Sequence, residues 1–199
     1  MIFFKKKQEQ ILSRYERDPA GRVIIGVAIE SINDLYNFFD RKTVYSKRDL
    51  DEDFVEYLTE CTTEIYPRRF IIRIDLERGL DKNGSDRIRK SIHNYFVYLH
   101  EAERRNLRKL FKRSAFLFFL GLSIILINVQ YPDTFFSDQS IFGKVISEGM
   151  IIAAWVALWE VFSNLIMEWY PMKQKISIFK RIIEAEVWIC LQDKREGEK

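Results

Sequence analysis

At 199 residues the chain has room for one or two domains, and with 31% charged side chains and a mean hydropathy of −0.20 its average reads as soluble. Two isolated cysteines, Cys61 and Cys190, form no CxxC pair, which excludes a disulfide scaffold and a zinc site and predicts two buried thiols in a reducing compartment. The average hides a partition. Residues 1–81 carry 14 basic and 16 acidic side chains, residues 82–113 carry 10 and 3, and residues 114–170 hold one cation, Lys144. The parse is an α+β membrane protein in four parts: a cytosolic α/β domain (1–81), a basic neck helix (82–113), a two-span transmembrane hairpin (114–170) and a C-terminal amphipathic cytosolic helix with its tail (171–199).

Apolar Met1–Phe4 precede Lys5–Lys7, the reverse of a signal peptide's order, so the N-terminal region is expected to stay in the cytoplasm. The β-branched run within Arg22–Glu30 predicts a strand buried on both faces, and Arg69–Glu77 alternates as a strand with one wet face. Between them, Ser31 caps a short helix to Phe39, and Leu50, Phe54, Leu58, Cys61 and Ile65 trace a longer amphipathic helix. Its start is crowded by Asp49, Asp51, Glu52 and Asp53, which read as helix capping rather than a metal site. The product is a small two-stranded, parallel, βαβ-like unit. Two strands bury neither face nor edge, so either Ile11, Leu12, Tyr15 and the C-terminal helix cover the sheet, or strands of a second copy complete it.

After Asn83-Gly84-Ser85, apolar Ile88, Ile92, Tyr95, Leu99 and Ala102 form a heptad-like seam, and no Gly or Pro interrupts before Gly121. One helix is therefore expected to run from the neck into the first span. His93 and His100, seven residues apart, lie about 10.5 Å apart along its axis and share no metal ion. Arg104, Arg105, Arg108, Lys109, Lys112 and Arg113 crowd its approach to the apolar stretch, either to contact anionic lipid or to set topology. Charges pressed against headgroups leave none for nucleic acid.

The predicted spans are 114–131 and 146–167, the second ending at the aromatic belt Trp169-Tyr170 and the helix-breaking Pro171. The intervening loop carries Asp133 and Asp138 and no Lys or Arg, so both termini are expected in the cytoplasm of an inner-membrane protein. For packing, Ser114, Gly121 and Asn128 recur every seven residues, and Gly149, Ala153 and Ala157 every four. An antiparallel hairpin with aligned cytoplasmic ends sets Ser114 against Met167, Gly121 against Glu160 and Asn128 against Ala153; the small residues serve either this seam or a contact between copies. Glu160, with Ser163 and Asn164, forms an intramembrane polar patch that either lines a path or titrates, or else fastens helices. Beyond it, Ile176, Phe179, Ile183, Val187 and Cys190 place Lys173–Leu191 in one amphipathic helix.

Several stretches carry a resemblance: Asp34-Leu35-Tyr36-Asn37 with Asp40, Lys47-Arg48-Asp49-Leu50-Asp51, Ile72-Arg73-Ile74, Tyr95-Phe96, Arg105-Asn106-Leu107-Arg108, and the run from Glu148-Gly149 through Ala153 to Glu160. On these the chain resembles a family of uncharacterised small two-transmembrane-helix bacterial and archaeal membrane proteins with an N-terminal cytosolic α/β domain. The resemblance implies an architecture and no activity. It also implies that Glu148–Glu160 and the Arg48-Asp49-Leu50 turn matter beyond their hydrophobicity.

No phosphate-binding glycine loop, nucleophile elbow or histidine-rich motif is present, so no enzyme, cofactor or metal is expected. The expected function is a self-associating membrane anchor, scaffold or sensor whose cytosolic domain receives a protein or small ligand. The alternative is an oligomeric pore with Glu160 on a polar path.

Overall fold

The computed structural model describes residues 9–10, 12–38, 48–77, 83–130 and 141–191, with side chains at 141–144 and 147 excepted. The segment 1–8, Ile11, Asp40, Lys47, the expected loop with Asp133 and Asp138, and the tail beyond Leu191 lie outside these residues. In chain order the elements are β1 (Glu16–Arg17), β2 (Val23–Ile29), a 3-10 turn (Ile32–Leu35), α1 (Glu52–Glu64), β3 (Phe70–Leu76), α2 (Gly84–Gln130), α3 (Ile141–Met167), α4 (Trp169–Ile183) and β4 (Glu186–Leu191). The chain divides into two compact units, Met1–Glu101 with Ser177–Lys199, and Ala102–Ile176.

The first unit is a four-stranded mixed sheet in the order β1-β2-β3-β4, with β1 antiparallel to β2 and the other pairs parallel. The expected two strands are its centre, and the chain itself supplies both outer strands. β1 comes from the turn Asp18-Pro19-Ala20-Gly21, in which the Gly21 N–H donates to the Asp18 carbonyl at 2.9 Å and Gly21 takes φ +78°. β4 replaces the last third of the expected C-terminal helix. Ile183, Val187 and Cys190 fit a helical spacing while Val187, Ile189 and Leu191 alternate as a strand, and parallel pairing with Ile72, Ile74 and Leu76 decides between the two.

One face of the sheet is apolar: Val23 and Ile25 of β2, and Phe70, Ile72, Ile74 and Leu76 of β3, all buried. α1 sends Phe54, Leu58, Cys61 and Ile65 into the same core, α2 sends Ile88, Ile92 and Phe96, and α4 sends Ile178 and Ile182. The seam on α2 thus packs on the sheet, with Tyr95 and Leu99 half-buried beside it. Each fully buried Ile or Leu contributes about 1.5–3 kcal/mol. Asp51 caps α1, its carboxylate accepting from the Asp53 and Phe54 N–H groups at 3.0 and 3.3 Å. The helix expected after Ser31 is one 3-10 turn closed by a Ser31–Asp34 capping box. Inside the core the Tyr36 hydroxyl donates to Ser91 Oγ at 2.9 Å.

The other face carries charge. Glu16, Ile24, Ile71 and Glu186 form one row across all four strands. Two ion pairs cross it: Arg73 reaches Glu16 at 2.8 Å, and Arg22 reaches Glu186 at 2.8 Å. Ile71 lies between these ties with no exposed surface.

The second unit contains the apolar parts of α2 and α3. α3 begins at Ile141, five residues before the expected span, and its 27 residues measure about 40 Å, against a bilayer core of about 30 Å. It ends at Met167, and Pro171 sits in the first turn of α4 rather than terminating α3.

Candidate functional site

Within the second unit Gly121 is buried, and a Cβ there would lie 3.1 Å from the Ala154 carbonyl oxygen and 3.2 Å from Leu158 Cγ. Gly121 is therefore the notch through which the two helices approach. The facing pairs differ from the expected set by about one helical turn: Gly121 meets Ala154 and Leu158, and Glu160 is met by Arg113, whose guanidinium donates to its carboxylate. Sequence reasoning singled out both residues of this ion pair and assigned them separate roles. The long Arg side chain supplies the countercharge that a carboxylate near an apolar stretch requires.

The rest of the polar patch divides. Ser163 Oγ lies 3.7 Å from Met167 Sδ, and the Asn164 amide nitrogen is buried without a hydrogen-bond partner among the described residues, as is Ser114 Oγ. Asn128 is half-buried. Gly149 and Ala153 are exposed, with open space where a Gly149 Cβ would stand, and Ala157 is half-buried; the buried small residue of α3 is Ala154. Of the basic approach, Arg104, Arg105, Arg108, Lys109, Lys112 and Arg113 are all exposed side chains on α2, and Arg113 pairs with Glu160.

The first unit holds a pocket of about 440 Å³ beside the outer edge of β2, lined by Tyr15, Glu16, Tyr57, Cys61, Glu64 and Arg73 among others. It exists because β1 is only two residues long. Past it, the Gly26 carbonyl has no strand partner on that side, and the Tyr57 hydroxyl donates to it at 3.1 Å. The Tyr15 hydroxyl donates to Glu64 Oε2 at 2.7 Å. Burial first, then neighbouring Cys61 and Glu64, push the Tyr15 phenol above its ordinary range; Tyr57 is raised by burial and by Cys61. Both phenols therefore stay protonated at neutral pH and act as hydrogen-bond donors, which suits binding rather than proton transfer. Cys61 is buried here, whereas Cys190 is exposed on β4, contrary to the expected pair of buried thiols.

Asp18, Arg22, Glu186 and Trp188 form a second polar chain. Arg22 Nε meets Asp18 Oδ2 at 2.7 Å, and Trp188 Nε1 donates to Glu186 Oε1 at 2.8 Å. Burial pushes the Asp18 carboxyl up, but hydrogen bonds from Arg22 outweigh it and hold Asp18 below its usual range. Glu186 is lowered by Trp188 first and Arg22 second. Among the described residues no group of three or more His, Cys, Asp or Glu is placed to hold a metal ion.

No family model, curated protein or solved structure matches this chain.

Proposed function

We propose that the chain is a non-enzymatic protein of the cytoplasmic membrane. The segment 114–170 crosses the bilayer twice as a hairpin, both termini are cytoplasmic, and the α/β unit receives a ligand or partner. One observation carries the reading: the two helices have apolar windows of mean hydropathy 2.0 and 1.8, of which only 17% and 6% is buried. A core helix of a soluble domain would be mostly covered, whereas here Phe116, Val129, Trp155 and Trp159 are each more than 60% exposed. Orientation rests on the basic residues before Ser114 and after Pro171, against a connecting segment with none.

Two helices, α2 and α4, each contribute residues to both units, so whatever binds the α/β unit acts on elements that continue into the apolar one. Self-association stays in the proposal on the exposed Gly149 and Ala153, which offer a close approach to another helix. The pore reading is weaker because Arg113 occupies the Glu160 carboxylate.

Alkaline carbonate extraction of membranes from expressing cells tests the proposal. The full chain is expected to stay in the pellet and to float with lipid. Release as a folded, detergent-free particle of monomer mass would overturn it.

A further inference from the structure

We propose that the pocket where β3 and β4 begin binds a phosphate group. The pocket, about 390 Å³, falls in the size range of small-molecule sites and is lined by four arginines, Arg22, Arg68, Arg69 and Arg181, with Glu184 and Glu186 as its carboxylates. Glu186 is already engaged, and Glu184 is exposed beside a lysine. Glu186 gives one oxygen to Arg22 and the other to Trp188, and Glu184 lies 3.8 Å from Lys180.

The arginines are not equivalent. Arg181 is a positioning residue: its guanidinium donates to the Thr62 carbonyl at 3.0 Å and to the Arg68 carbonyl, and it lies 5.1 and 5.3 Å from the Tyr66 and Phe70 ring centres. It thereby fixes the loop between α1 and β3 that presents Arg68 and Arg69. Those two side chains are exposed and have no partner among the described residues. Among the described residues Arg181 has no carboxylate partner, and burial lowers its pKa, so an anion in the pocket would give its charge a direct partner. Guanidinium forks match the paired oxygens of a phosphate, which singles out that chemistry.

The phosphate is that of a soluble phosphorylated molecule or of a lipid headgroup, and the inference rests on reading the α/β unit as the receiving module. Full-length protein in phosphatidylcholine nanodiscs would be titrated with inorganic pyrophosphate by calorimetry, and detergent-solubilised protein with dihexanoyl phosphatidic acid. The variant R68A/R69A is expected to bind at least about tenfold more weakly, while R17A/K90A, which removes the same charge elsewhere in the unit, stays within about twofold. Pyrophosphate binding assigns a soluble ligand; binding of phosphatidic acid alone assigns a headgroup. Binding of neither probe, or an equal loss in both variants, overturns the proposal. Carbonate resistance of the same preparations is scored separately, so a chain that inserts but binds neither probe loses the phosphate site and keeps the membrane-anchored reading.

Discussion

Two glycines on facing helices make a controlled test of the apolar seam. Both Gly121→Ala and Gly149→Ala add one methyl inside a helix and gain about 1 kcal/mol of helix propensity. They differ in what the methyl meets. At Gly149 there is open space, so the gain stands and the protein is stabilised by up to about 1 kcal/mol. At Gly121 the methyl meets the Ala154 carbonyl at 3.1 Å and Leu158 Cγ at 3.2 Å. Leu158 can shift, but a helix carbonyl yields little, and overpacking costs about 1–3 kcal/mol. Net destabilisation of up to about 2 kcal/mol is expected for Gly121→Ala, leaving the two variants about 1–3 kcal/mol apart, or roughly 5- to 150-fold in equilibrium constant. Reversible unfolding in mixed micelles measures both. Equal shifts, or a more stable Gly121→Ala, would show that Gly121 is not the notch of this helix pair.

Arg113→Gln and Glu160→Gln should be non-additive, with a coupling of about 0.5–1 kcal/mol in a double-mutant cycle, kept small because both side chains are more than a third exposed. Additive losses would dissolve the ion pair. Asp18 has a folded pKa below its unfolded value, so its contribution is present above about pH 4 and is lost as pH falls through the folded pKa. Asp18→Asn is therefore expected to lower stability at neutral pH and to flatten the acid limb of the stability profile; an unchanged acid limb counts against the Asp18–Arg22 pairing. Tyr36→Phe, by removing a buried hydroxyl contact to Ser91, should cost about 1 kcal/mol by chemical denaturation, and no change would show that the bond adds nothing to stability.

The parts of the fold that local chemistry dictates were legible. β-branched runs marked β2 and β3, and an acidic cap followed by apolar residues at helical spacing marked α1. β4 was not legible as a strand, because Val187 to Leu191 fits both periods and its choice is made by β3, more than a hundred residues away. The β1 turn was readable in Asp18-Pro19-Ala20-Gly21, but a two-residue strand leaves almost no periodic signal. At the candidate sites, the cost of burying a charge singled out Glu160, while its partner depended on a helix register that the sequence does not specify. Arg68 and Arg69 are adjacent in sequence, yet their convergence with Arg22 and Arg181 arises only when β2, β3 and α4 are brought together.

The placement of the two cysteines offers the most direct measurement of the central claim. Cys190 is exposed on β4 and Cys61 is 7% exposed in the core of the same unit. A membrane-impermeant maleimide is expected to label Cys190 in inverted membrane vesicles but not in intact cells, with Cys61 reacting only after denaturation. Labelling of Cys190 from outside intact cells would contradict a two-span protein with its α/β unit in the cytoplasm.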